Sequence, residues 1–269
     1  MIRLVAFDLD GTLIGRDLVI SSRVKEAVRQ MRALGVHGCI VTGRMFGATL
    51  PFVRELALDA PVVCYQGAAI FDPQTGAAIF ERPLAASVVQ ELIAFARERA
   101  VHLQLYMGDR YYVHENNAQS ALYAQLSGVE PIVVTSLEQK FSGQSATKAL
   151  LVADPAIAQE LAIALTTHFG SRAYVTRSYP EFVEILDQGV DKGRALAYVA
   201  EHCGVSLHET MAIGDSWNDR PLLETAAIGI AMGSAPQEVV DIAYAVVADV
   251  EHDGVAEALE RFVLAPTLS

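Results

Sequence analysis

Positive charge is scarce in this chain. Twenty Lys and Arg stand against 32 Asp and Glu, a formal charge of -12 at pH 7, which argues against a broad nucleic-acid or anionic-membrane surface, because clustered Lys and Arg hold those partners. An anionic ligand must therefore be gripped locally. Cysteine is also rare: Cys39, Cys64 and Cys203 are odd in number and lack CxxC spacing. Cys39 and Cys64 fall in apolar, strand-like runs and read as buried, reduced thiols. No apolar stretch reaches the roughly 18 residues of a membrane span. The N-terminal apolar run is interrupted by Asp8 and has no cleavage-site pattern, so a cytoplasmic location is expected. The seven histidines show no HxH or HxxxH pairing, and none is assigned to metal. Neither GxGxxG after a strand nor GxxxxGK[ST] occurs, which removes the main support for dinucleotide or Walker-type nucleotide binding. There is no repeat or low-complexity tract.

What is present is an alternating pattern that is interrupted and then resumes. With 269 residues and 52% apolar side chains, the chain can bury a large core and form two domains. A buried strand is predicted over Ile2 to Phe7. A helix follows with Ser22 as its cap, apolar positions Val24, Ala27, Val28, Met31 and Leu34, and Gly35 ending it. Strand Gly38 to Thr42, helix Phe46 to Leu58 and strand Pro61 to Tyr65 continue the β-α-β order of a doubly wound parallel sheet. From about residue 67 the pattern turns to hairpins. Ala69 to Phe71 and Ala78 to Phe80 flank Asp72 to Gly76, while Leu103 to Met107 and Arg110 to His114 flank Gly108-Asp109. With helical patterns near 86 to 99, 118 to 127 and 156 to 168, residues 83–187 read as a separate α+β domain inserted between 1–82 and 188–269. Parallel order resumes with a helix from Gly193 to His202 and strands Thr210 to Ile213, Ile228 to Met232 and Tyr244 to Val247.

Four polar clusters fall at strand ends or helix starts, where open α/β sheets place their ligands. Asp8 and Asp10, in Phe7-Asp8-Leu9-Asp10-Gly11-Thr12, follow the first strand; two carboxylates before a turn-permitting glycine can hold a hard cation and leave an oxygen free to attack, or can be an Asp-rich capping turn. Thr42-Gly43-Arg44 ends the second strand with a hydroxyl, an unobstructed N–H and a guanidinium, a set that suits a phosphoryl group. Lys192 sits at a helix start, where a cation opposes the macrodipole by roughly 0.3 to 1 kcal/mol; a rule broken this way marks either a functional site or a solvated lysine. Gly214-Asp215-Ser216-Trp217-Asn218-Asp219 follows a short strand and opens a helix, and Asn218 or Asp219 can equally serve as an N-cap. Neither Asp8 to Val19 nor Asp215 to Ala226 fits an EF-hand, because the sixth and twelfth positions lack Gly and Glu.

In this order the four clusters resemble the motifs of the haloacid dehalogenase-like phosphohydrolase superfamily. The insertion resembles its C2-type cap, and Glu184-Ile185-Leu186-Asp187-Gln188-Gly189-Val190-Asp191-Lys192-Gly193 is similar to the Cof subfamily of sugar-phosphate phosphatases. One departure is Gln66-Gly67-Ala68, where the subfamily usually has Asn-Gly-Ala.

The resemblance implies a phosphatase for small phosphorylated metabolites, sugar phosphates above all, with Asp8 as nucleophile and Asp10 as acid and base. It implies Mg2+ on the Asp8 carboxylate, the Asp10 carbonyl and Asp215, with Asp219 in support. Thr42, Gly43, Lys192 and Asn218 would hold the phosphate, with Arg44 a further candidate. An ordinary aspartate has a pKa near 3.9, so Asp8 is expected to be ionised at neutral pH. A phosphotransferase or phosphomutase would use the same Asp8 intermediate, and a non-catalytic sugar-phosphate binder would be expected to lack one of the two carboxylates. Tyr106, Tyr111, Tyr112 and Arg110 can touch a ligand or pack, as can Trp217. The substrate and oligomeric state are not legible.

Overall fold

The computed structural model describes residues 1–265 and divides into two compact units. The first comprises 1–43, 49–79 and 191–269, of which 266–269 are not described, and the second 44–48 and 80–190.

In the first unit five strands run parallel in the order Ala245–Val246, Ile228–Ala231, Thr210–Gly214, Leu4–Phe7, His37–Ile40. All four residues of Leu4–Phe7 are buried, as expected for a parallel strand covered on both faces. The chain proceeds outward from this strand on one side, then returns to build the other side from Thr210–Gly214. The order therefore reverses between these two neighbours, and the carboxyl ends at such a reversal are where open α/β sheets bind their ligands.

The helix Ser22–Ala33 is capped by Ser21, one residue before the expected Ser22, whose hydroxyl accepts from the Val24 N–H. It buries Val24, Ala27, Val28 and Met31, the i, i+3, i+4, i+7 face. Helix Phe46–Glu55 ends three residues short of the expected Leu58. Ala57 takes a left-handed φ of 49° there, its N–H reaching Arg54 O and the Leu58 N–H reaching Val53 O. This is a Schellman end with alanine in place of the usual glycine, so no glycine signal marked it.

The strand expected over Pro61 to Tyr65 forms over Val62–Cys64 and joins a small antiparallel sheet with Ala69–Phe71 and Ala78–Glu81. A parallel bridge from Val41 to Val63 ties it to the end of the second strand. Cys39 and Cys64 are buried and in no disulfide, and burial pushes the Cys39 thiol up. No described helix is long and apolar enough to cross a membrane.

The second unit is a six-stranded sheet in the order Ala173–Arg177, Phe182–Asp187, Lys148–Val152, His102–Tyr106, Tyr111–Val113, Ile132–Val133. All pairs are antiparallel except the last. Its core joins Val88, Val89 and Leu92 of helix Ala86–Glu98, Leu161 and Leu165 of helix Pro155–Phe169, and Leu103, Leu105 and Leu151 of the sheet. Gly108 and Asp109 have φ of 62° and 55°, the pair of positive values a type I′ hairpin requires. Tyr106 and Tyr111 are fully buried and stack at 5.6 Å, with Tyr123 edge-on to both; these two tyrosines pack.

Candidate active site

Three of the four clusters meet at the reversal of strand order. Asp8 follows Leu4–Phe7, and its N–H donates to Ile213 O of the neighbouring strand at 2.9 Å. Asp215 follows that neighbour, and the turn Trp217–Asp219 then folds back. Asp219 Oδ2 accepts the N–H groups of both Asp215 and Ser216 at 3.0 Å. The loop is thereby closed on its own carboxylate.

Lys192 begins helix Lys192–His202, whose N-cap Asp191 accepts from the Arg194 N–H at 2.7 Å. The lysine side chain leaves the helix end and is fully buried between carboxylates, with Nζ 2.5 Å from Asp8 Oδ1 and 2.6 Å from Asp219 Oδ1. The solvated-surface reading of Lys192 is thus overturned. Its unfavourable position on the macrodipole is outweighed by two charge-assisted hydrogen bonds in a buried site.

Carboxylate oxygens of Asp8, Asp215 and Asp219 lie within 4.8 Å of one another. Three negative groups around one ammonium leave excess negative charge. Burial, and then the neighbouring Asp219, raise the Asp8 pKa to about 7, against the pull of Lys192. Asp8 therefore does not have the ordinary acidity expected of an isolated aspartate. Burial first, and Asp8 next, push Asp215 well above the usual carboxylate range. Burial opposes the charge on Lys192, but Asp219 and Asp8 outweigh it and raise its pKa.

Among the described residues, the buried oxygens Thr12 Oγ1, Asp215 Oδ1 and Asn218 Oδ1 have no hydrogen-bond partner. Buried polar atoms are normally satisfied, so a group of unpartnered acceptors in the motif segments calls for a ligand. The oxygen-only donor set around Asp8 and Asp215 fits a hard divalent cation such as Mg2+. Gly11 shapes the same place. Its φ is 78°, and a Cβ on it would collide with the Asp215 carboxylate.

The remaining sequence candidates divide. Asp10 is partly exposed, pairs with Ile14 in a short bridge, and contributes repulsion to both Asp8 and Asp215. Thr42 is buried and its N–H donates to Val63 O at 3.0 Å. Gly43 is the last residue of its stretch of the first unit, and Arg44 is assigned to the second. The Arg44 guanidinium donates to Leu126 O at 2.8 Å. Asn218 donates through Nδ2 to Gln66 Oε1 at 3.0 Å, and the Gln66 N–H donates to Thr42 O at 2.9 Å. The sequence reading gave Gln66 no site role; only its departure from the subfamily pattern marked it.

A family model described as haloacid dehalogenase-like hydrolase matches residues 5–259. The HMP-PP phosphatase of Cronobacter sakazakii is 29% identical over 243 residues, covering 90% of this chain and 88% of that protein. The pyridoxal phosphate phosphatase YbhA of Escherichia coli is 29% identical over 268 residues, covering 95% and 96%. The structure of a haloacid dehalogenase superfamily subclass IIB sugar phosphatase superposes with a TM-score of 0.84 at 25% identity, covering 97% of this chain and 98% of that one.

Proposed function

The chain belongs to the haloacid dehalogenase-like hydrolases, and from that premise we propose that it is a Mg2+-dependent phosphatase of small phosphorylated metabolites, sugar phosphates foremost, working through an aspartyl-phosphate on Asp8. Support comes from the phosphatase relatives acting, by their names, on HMP-PP and pyridoxal phosphate, and from the likeness to a sugar phosphatase. The observation that carries the reading is the Lys192 ammonium clamped on Asp8 beside the unpartnered Asp215 oxygen.

Asp8 would attack phosphorus with a carboxylate oxygen while the bond to the leaving oxygen breaks. Asp10 would give its proton to that oxygen, then take one from the water that displaces the phosphoryl group from Asp8. Asp8 and Asp215 would hold Mg2+ directly, together with the Asp10 carbonyl. Asp219, with one oxygen on two backbone N–H groups and the other on Lys192, would support the loop beneath them. The cation would supply positive charge that keeps Asp8 ionised and offsets the charge developing on the phosphoryl oxygens. Thr42, Gly43, Lys192 and Asn218 would hold the non-reacting oxygens, with Arg44 in a secondary role. Residues 83–187 would select the leaving group. Buried cysteines Cys39 and Cys64, in no disulfide, would suit a reducing, cytoplasmic setting.

Asp8→Asn keeps the shape and removes the nucleophile. It should lower turnover by at least about 10^4-fold, and acid quenching of the wild-type reaction should leave a phosphoryl adduct on the peptide containing Asp8. Turnover near wild type in Asp8→Asn, or no adduct there, overturns the proposal.

A further inference from the structure

Tyr65, Gln66 and Gly67 form a short turn in which three consecutive residues have positive φ, at 51°, 59° and 101°. Two of these are not glycine, and such backbone persists only where surrounding contacts over-determine it. The contacts run to separate pieces of the site. Gln66 N–H donates to Thr42 O at the end of the second strand. Gln66 Oε1 accepts from Asn218 Nδ2, 152 positions away. Gly67 lies so close to Asp191 that a Cβ there would stand 2.6 Å from the Asp191 carbonyl oxygen, immediately before Lys192.

Building on the phosphatase reading, we propose that Gln66 is a positioning residue of the phosphate site, which aims the Asn218 amide and braces the Thr42 segment through one turn. The glutamine is 1% exposed, so it presents no surface of its own to solvent. A side-chain amide accepts with its oxygen and donates with its nitrogen. Binding Asn218 Nδ2 to Gln66 Oε1 fixes the rotation of the Asn218 amide and leaves Asn218 Oδ1 buried without a partner. One Nδ2 hydrogen is taken by Gln66, and the other is held in a fixed direction. A phosphate oxygen has only acceptor lone pairs until protonated, so it would meet that second hydrogen. The unpartnered Oδ1 would take a hydroxyl or water of the ligand. The left-handed backbone at Gln66 makes this possible, because it lets the N–H and the side chain of one residue reach two different strand ends.

The test is a double-mutant cycle with inorganic phosphate as the probe. Gln66→Met keeps the length and removes the acceptor. It should raise the inhibition constant for phosphate and the KM for a phosphate monoester by about tenfold, with a smaller change in kcat. In an Asn218→Ala background the same substitution should change neither, because the group it positions is gone. Gln66→Asn is carried through the same cycle; asparagine accepts a left-handed backbone readily, but its amide is one methylene short of Asn218, so a folded variant is in hand if Gln66→Met does not fold. Losses that add in the Asn218→Ala background, or wild-type constants in both single variants, overturn the assignment. A wild-type protein showing neither turnover nor inhibition by phosphate instead overturns the phosphatase reading on which it rests.

Discussion

Lys192 Nζ lies 2.5 Å from Asp8 Oδ1, across 184 positions of sequence, and neither group is open to solvent. The pair is held from two sides: Asp8 by the strand hydrogen bond to Ile213, Lys192 by its place at a capped helix start. Its geometry is therefore set before any ligand arrives.

Removing the ammonium should be severe. Lys192→Met leaves Asp8 and Asp219 facing one another in a buried site, and breaking a buried pair this way costs about 3–5 kcal/mol. The loss should be larger at pH 8 than at pH 5, because protonation of Asp8, whose pKa is already raised, relieves the repulsion at the lower pH. Urea unfolding of the metal-free variant at both pH values measures it. An unchanged midpoint, or a loss independent of pH, contradicts the arrangement.

Mg2+ affinity should rise with pH. In the metal-free protein Asp8 titrates near 7 and Asp215 well above its ordinary range, so binding must displace protons below those values. Each proton released contributes up to tenfold in affinity per pH unit. The sign for stability is the reverse. A carboxyl whose pKa is raised by folding is most favourable while protonated, so metal-free stability should fall as pH rises from about 4 through about 7, and Mg2+ should restore it. Calorimetry with Mg2+ at pH 5.5, 6.5 and 7.5, alongside melting curves with and without the ion, tests both signs. Affinity flat across this range is the contrary result.

Asp10→Asn should discriminate between leaving groups. If Asp10 protonates the leaving oxygen, the variant should slow hydrolysis of a sugar phosphate by about 10^2–10^4-fold and that of p-nitrophenyl phosphate much less, since its leaving oxygen needs little protonation. Paired kcat/KM values on the two substrates decide it; equal losses would remove the acid role from Asp10.

Gly11→Ala should damage the metal site without touching a ligand atom. The substitution places a Cβ against the Asp215 carboxylate and forces alanine into a φ of 78°, an effect on the order of 1–3 kcal/mol. A lowered melting temperature together with weaker Mg2+ binding is expected. Wild-type values for both would show that Asp215 gives way freely.

The alternation of apolar runs with amphipathic helices was enough to read a parallel sheet and an inserted α+β segment. Both signals are local: a strand buried on two faces must be apolar throughout, and a helix covering it must repeat its apolar face at 3.6 residues. The chemical candidates Asp8, Asp10, Lys192 and Asp215 were legible for a similar reason. Each sits where a strand stops or a helix starts, and charge at such a boundary stands out against the apolar run beside it.

Other features depended on distance through space. The alanine-ended helix near Ala57 has no local signal, because its left-handed end is stabilised by the hydrogen bonds it closes. The raised pKa of Asp8 is invisible in a sequence where an aspartate has its ordinary acidity. It comes from burial beside Asp219, which lies 211 positions away in the chain and arrives only when the Thr210–Gly214 strand pairs with Leu4–Phe7. Gln66 was legible only as a departure from a motif, and its contacts with Thr42 and Asn218, like the approach of Gly67 to Asp191, arise from a turn that no propensity favours. Residue type and local periodicity determined which groups are available and at which element ends they stand. The pairing of strands decided which of them share one low-dielectric pocket, because Coulomb interaction and desolvation depend on separation and burial, and neither is a property of a residue taken alone.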